Sequence, residues 1–280
     1  MTSSKTVKFI LESKKKQWVG NGFYVHSLLK PDKDIYQFTS PFLLLDYAPN
    51  RNFPADGQKR GVGAHPHKGF ETVTFAHRGE VSHKDSSGGG GTIKEGDVQW
   101  MTAGNGIIHE EYHSPSFCKK GGLLEMTQLW INLPQKFKKT KAHYQNIKKA
   151  EIPLINITNK TNLKIIAGKY LNKIGPAETF TKINIMEIDS YDDDFSLSLE
   201  KKSNTLLLIR QGKVKVQKKI FSENTLVIFS KEGENIKIES QGECKALLLN
   251  GEPIHESFVW HGPFVMNTKE EIMEAIKEYS

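Results

Sequence analysis

Short stretches of alternating apolar and polar residues, separated by frequent glycines and prolines, run through most of this chain. Valine, isoleucine, leucine, threonine and phenylalanine fill them, the side chains that suit a pleated, half-buried surface. The pattern predicts strands at 72–76, 129–133, 206–209, 213–217, 226–229, 236–239 and 246–249. The end of the chain changes period. Ile272, Met273, Ile276 and Tyr279 fall on one face at helical spacing, Asn267 or Thr268 is placed to cap, and Glu270 and Glu271 suit the positive end of a helix.

The pattern also repeats. ETVTFAHRGEV, a loop and GTIKEGDVQWM match NTLLLIRQGKVKV followed by KKIFSENTLVIF, with Gly79 against Gly212. Each copy reads strand, glycine turn, strand, loop, strand, which points to a duplicated β-barrel unit. The expected organisation is all-β: a barrel over residues 1–140, a linker region at 141–162, and a second barrel with the terminal helix over 163–280.

Composition narrows the class. A chain of 280 residues that is 37% hydrophobic and 25% charged is an ordinary globular mix, long enough to bury a core. A mean hydropathy of −0.49, with no uncharged apolar run near ~18 residues, excludes a transmembrane helix. The N-terminal lysines flank a very short apolar patch, which is not the order of a secretory signal, so a cytoplasmic protein with no membrane partner is expected. The net charge of +7 invites a nucleic-acid partner, because clustered cations release counterions from phosphate. Yet only Arg51, Arg60, Arg78 and Arg210 among the 39 basic residues can fork onto phosphate or guanine. The lysines are spread out, and the runs at 14–16, 136–141 and 148–149 lack interleaved aromatics, so they read as solvated surface with no specific nucleic acid. Cys118 and Cys244 stand far apart without a CxxC partner, which supports neither a disulfide framework nor a thiolate metal site.

Chemistry concentrates in the first copy. GVGAHPHKGFETVTF places His65 and His67 two residues apart, and alternate side chains of an extended segment share a face. Some forty residues on, GNGIIHEEYH offers His109 and Glu111 at the same spacing. Two such pairs on adjacent strands supply three neutral nitrogens and one carboxylate, a set that suits iron, manganese, nickel or zinc. An octahedral ion so held keeps two positions open. Either pair alone is weak; their joint presence in one repeat makes the metal reading the stronger one. Glu71 keeps parity with His65 and His67, so it is read as a ligand, a proton acceptor or a brace. Glu110 faces away, His113 keeps ligand parity but falls past the strand's end, and His77 and His83 are read as solvent-facing.

HPHKGFETVTF, GDVQWMTAGNGIIHEEY, LWINLP and GEPIHESFVWHGPFVMNTKEEI resemble the pirin family of the cupin superfamily, and with PFLLLDY the likeness runs from about Pro41 to the end. The resemblance implies two cupin (jelly-roll) barrels face to face, in a monomer, with one mononuclear metal in the N-terminal barrel. Fe(II) is the foremost candidate, with Mn, Ni or Zn as others. Carried over residue by residue, the family's ligands fall on His65, His67, His109 and Glu111; general cupins use the glutamate after HxH instead, which here is Glu71. The second copy has no histidine over 196–205 and only Glu239 over 236–240, so it is expected to be metal-free. Two functions are implied. One is quercetin 2,3-dioxygenase activity, in which dioxygen opens the flavonol heterocycle, carbon monoxide leaves, and Glu111 takes the hydroxyl proton. Its partners are a planar polyphenol and dioxygen, and Phe53, Phe70 and Trp100 are candidates to line the mouth, with core packing the favoured role of Phe70 and Trp100. The other is a non-enzymatic, iron-dependent redox sensor that binds a transcription factor or a metabolic enzyme. The catalytic reading is preferred.

Overall fold

The computed structural model describes residues 3–280, and its named strands all pair antiparallel. Three α-helices occur among the described residues, Lys33–Thr39, Pro115–Lys120 and Lys269–Glu278, none long and apolar enough to cross a membrane. The chain divides into two units that interlace in sequence. One comprises residues 15–31, 42–149 and 254–280; the other comprises the N-terminal segment ending at Lys14, residues 32–41 and residues 150–253.

The first unit contains a seven-stranded sheet. Its order is His143–Ile147, Val98–Thr102, Phe70–Arg78, Gly122–Asn132, Phe42–Phe53, Phe23–Leu29 and Gln17–Val19. A second sheet runs Gly61–His67, Ile107–His113, Val81–Asp85 and Gly90–Ile93. Val81 and Ile93 of the smaller sheet share a core with Phe23, Phe53, Ala76 and Met126 of the larger, so the two sheets close on each other as one barrel. Each large apolar side chain so buried contributes about 1.5–3 kcal/mol relative to exposure. Phe70–Arg78 is buried on both faces along almost its whole length, as a central strand should be.

The second unit repeats that order along the main path of a nine-stranded sheet, to which Asp194–Ser198 and Lys219–Ser222 add two further strands. Its sheet runs Val7–Glu12, Thr225–Phe229, Asn204–Val216, Asn235–Gly251, Ile183–Tyr191, Thr161–Ala167 and Leu154–Asn156. Gly79 and Gly212, matched in the sequence repeat, sit at φ of 82° and 79°, a left-handed conformation that glycine adopts without a Cβ clash. The duplication is therefore structural. The core of this unit is aliphatic and aromatic, with Ile165, Met186, Leu207, Val227, Ile236, Ile238 and Leu248 packed together and no histidine among them.

The architecture is the all-β, two-unit cupin type with a short terminal helix. Several details differ from the sequence reading. The boundaries 1–140, 141–162 and 163–280 are corrected by the interlacing. An edge strand leaves backbone N–H and C=O groups unpaired, and the segment that pairs Thr225–Phe229 in the second unit is Val7–Glu12, from the other end of the chain. The 141–162 stretch is folded, since His143–Ile147 pairs with Val98–Thr102 and Leu154–Asn156 with Thr161–Ala167. The predicted pair 206–209 and 213–217 is one strand bent at Gly212, and 236–239 and 246–249 are parts of one strand of 17 residues. Of its two candidate caps the terminal helix uses Thr268 as N-cap, which forms a capping box with Glu271. It belongs to the first unit, packing Ile272 and Ala275 on Phe264 and Met266, while Met273 is 66% exposed.

Candidate metal centre

Strand Gly61–His67 pairs with Ile107–His113 so that His109 lies directly opposite His65 and Ile107 opposite His67. Along Ile107–His113 burial alternates without a break, which turns His109, Glu111 and His113 inward and Ile108, Glu110 and Tyr112 outward. The result is a cluster. One ligand nitrogen from each of His65, His67 and His109 lies within 4.8 Å of the other two. Ring centroids are 4.4 Å apart for His65 and His109, 4.8 Å for His65 and His67, and 4.9 Å for His67 and His109.

These imidazoles are prepared to be neutral donors. His67 and His109 are buried and His65 is half-buried. Burial, reinforced by the neighbouring imidazoles, pulls His109 down to about 3 and His67 well below its ordinary value; burial also lowers His65. His65 Nδ1 lies 2.7 Å from the Gly63 carbonyl oxygen, so it carries the proton and leaves Nε2 as an acceptor. Both ring nitrogens of His109 and Nδ1 of His67 are buried with no hydrogen-bond partner. Such groups are costly unless something fills them. Three convergent lone pairs fit a divalent metal of the borderline class.

Glu111 is buried one inward position along from His109, outside the three-histidine group. Burial raises its carboxyl to about 7. Thr74 Oγ1 stands 3.3 Å from Glu111 Oε1 and 2.6 Å from Gln128 Oε1. A hydroxyl has one proton, so the short contact donates to Gln128 and a neutral Glu111 can donate back to Thr74.

Glu71 does not join the cluster. Thr102 Oγ1 donates to its Oε1 at 2.7 Å, and burial raises its carboxyl to about 7. The parity argument fails at Gly69, whose φ of 86° turns the chain from one sheet to the other between His67 and Glu71. A Cβ there would lie 2.0 Å from the Val265 carbonyl oxygen. Lys138 secures that turn, donating from Nζ to the carbonyls of Gly69 at 2.7 Å and Val265 at 2.9 Å and to Asn132 Oδ1 at 2.7 Å. Reading the 136–141 run as solvated surface missed it, because Lys138 is 2% exposed.

His77 and His83, expected in solvent, are both buried. His77 Nε2 meets Thr127 Oγ1 at 2.9 Å. His83 lies opposite Glu111 in the strand register and stacks on Tyr144 with centroids 5.4 Å apart. Neither ring nitrogen of His83 nor the Tyr144 hydroxyl has a partner, and burial draws His83 down to about 4. The alternation of VSHKD, with Val81, His83 and Asp85 on one face, was the available signal. His113 is the last residue of its strand rather than beyond it; its Nε2 meets the Gly22 carbonyl oxygen at 2.9 Å among the rings of Phe23, Phe53 and Phe117. Phe70 and Trp100 are buried in the core, the role favoured for them, and Phe53, a candidate for the mouth, is buried as well.

Comparison with known proteins shows the family and the fold. The Pirin family model matches residues 24–131 and the Pirin C-terminal cupin domain matches residues 188–280. A Pseudomonas aeruginosa protein named "Putative quercetin 2,3-dioxygenase" is 41% identical over 277 residues, covering 98% of this chain and 96% of that protein. A "Pirin-like protein" of Solanum lycopersicum is 36% identical over 253 residues, covering 87% of this chain and 81% of the relative. The crystal structure of quercetin 2,3-dioxygenase from Acinetobacter baumannii superposes with a TM-score of 0.96 at 45% identity, covering 99% of this chain and 97% of that one.

Proposed function

The chain belongs to the pirin family, and from that premise we propose that it is an iron-dependent dioxygenase that opens the heterocycle of quercetin-type flavonols. The observation that carries the reading is the convergence of three imidazoles held neutral by burial, with both ring nitrogens of His109 and Nδ1 of His67 unpartnered, one inward strand position from the buried Glu111. Names of close relatives supply the substrate class.

In this reading His65, His67 and His109 hold the metal, and Glu111 completes the set. Bound ferrous iron would supply a Lewis acid and open coordination positions for a substrate oxygen and dioxygen. The protein's own part is positional and protonic. Burial of His67 and His109 keeps both unprotonated at neutral pH, so the donors need no proton removed before they bind. Glu111, on the same strand face as His109, takes the proton of the flavonol 3-hydroxyl at its carboxylate. Thr74, held in turn by Gln128, stands 3.3 Å from Glu111 Oε1 and accepts from that side chain once it carries the proton. The surrounding Phe70 and Trp130 rings, 5.1 and 5.4 Å from His67, exclude water from that side.

Anaerobic reconstitution with ferrous iron, followed by quercetin and dioxygen, tests the proposal. Loss of flavonol absorbance with release of carbon monoxide is the expected result. Stoichiometric iron with no flavonol consumed would sink it and favour the non-enzymatic sensor, a reading consistent with relatives that carry only the pirin-like name.

A further inference from the structure

The strand that turns His109 and Glu111 inward presents Glu110 and Tyr112 on its other side, opposite Lys84 and Ser82 of the neighbouring strand. A pocket of about 330 Å³ opens there, lined by Ser82, Lys84, Glu110 and Tyr112 of these strands and reaching the inward-turned His83 and His113. Helix Pro115–Lys120 contributes Pro115, Cys118 and Lys119 to it, and the loop before Gly61 contributes Lys59. This volume lies within the range of about 300–1,000 Å³ typical of small-molecule sites.

The lining has a definite chemical character. Tyr112, Pro115 and the buried Cys118 give carbon and sulfur walls, while the exposed Lys59, Lys84 and Lys119 stand around the rim. Lys59 Nζ is held 3.5 Å from the centre of the Tyr112 ring. None of the three ammoniums has an ion-pair partner among the described residues, and Glu110 is the one acidic side chain in the lining. The mouth therefore carries a surplus of positive charge over an apolar floor. Inorganic phosphate has no apolar body to set on that floor, so the pocket favours an anion carried on a ring.

We propose that this pocket binds a small aromatic carboxylate, its ring against Tyr112 and Pro115 and its carboxylate toward Lys59, Lys84 and Lys119. None of His65, His67, His109 and Glu111 lines the pocket, so its occupancy does not depend on metal.

Calorimetric titration with salicylate, on chelator-washed and on iron-loaded full-length protein, tests this. The expected result is one saturable site of equal affinity in both forms, with neutral salicylamide about tenfold weaker and inorganic phosphate weaker than salicylate. Lys84→Gln and Lys119→Gln should each weaken salicylate roughly two- to fivefold, the worth of an exposed charge. Ser82→Trp should fill the pocket and abolish binding. The lysine variants alter exposed side chains, and thermal melts confirm that each is folded. The proposal is overturned by binding seen only in iron-loaded protein, which would place the anion at the histidines. Equal affinity for salicylamide, indifference to all three substitutions, or no saturation by about 10 mM would overturn it as well.

Discussion

At His109 both ring nitrogens are buried without a hydrogen-bond partner, and an unmet buried polar group costs about 1–3 kcal/mol. A metal shared with His65 and His67 meets one of those two nitrogens and removes its share of the cost. Purified protein should therefore hold one tightly bound metal per chain, and the double change His65→Ala, His109→Ala should abolish it in elemental analysis. A second tightly held ion in washed protein would contradict the single-site reading. Glu111 and Glu71 are both buried carboxyls raised to about 7, yet their surroundings assign them different work. Glu111→Gln should retain part of the metal while turnover falls roughly 10²- to 10⁴-fold, the contribution of a positioned base. Glu71→Gln should leave metal content unchanged, because Thr102 holds Glu71 away from the cluster. Metal lost from the Glu71 variant would restore the general cupin ligand set.

Among the elements, the turn after the HxH strand governs the site. Lys138 ties Gly69 and Val265 together, and burial draws its ammonium from 10.5 down to about 7. Between those values the unfolded chain binds the proton more tightly than the folded one, so stability rises with pH across that window. Below about pH 7 the folded protein bears the full cost of the buried charge. Lys138→Met removes this dependence, so the stability of wild type relative to the variant should grow from pH 7 to pH 9 in chemical denaturation. A difference that shrinks over that range would refute the assignment. The variant also leaves three oxygen acceptors unmet, at about 1–3 kcal/mol for each that water cannot reach.

For the whole molecule, interlacing limits where the chain can be cut. A fragment of residues 15–149 lacks Val265, which caps the Gly69 turn, and Glu278, which pairs with Lys68. It should melt well below the full chain, and adding the 254–280 peptide should raise its melting temperature. A fragment as stable as the full chain would show that the terminal segment is dispensable. The positive charge, spread over both units, should give only weak duplex DNA binding. Affinity no tighter than roughly 10⁻⁴ to 10⁻⁶ M at physiological salt, falling linearly with the logarithm of salt, is expected from titrations of unrelated duplexes. A thousandfold preference for one duplex would overturn that expectation.

The amino-acid pattern alone determined the strands, the duplication and the pairs at 65/67 and 109/111, because a period of two places side chains on one face whatever the strand later packs against. It also determined the capped terminal helix, where Thr268 and Glu271 act within a single turn. Tertiary structure decided what depends on partners distant in sequence. Parity carried across Gly69 put Glu71 with the histidines, and one left-handed residue undid it. His83 and Lys138 looked like surface because the cover of a polar side chain comes from distant segments, although the VSHKD alternation already put His83 on the buried face of its strand. Burial of His83 beside Tyr144, and of Lys138 between Gly69 and Val265, arises from contacts 61 and up to 127 residues apart. The segments that complete each unit were hidden for the same reason: an edge strand is recruited by unpaired backbone groups, which every sequence presents alike.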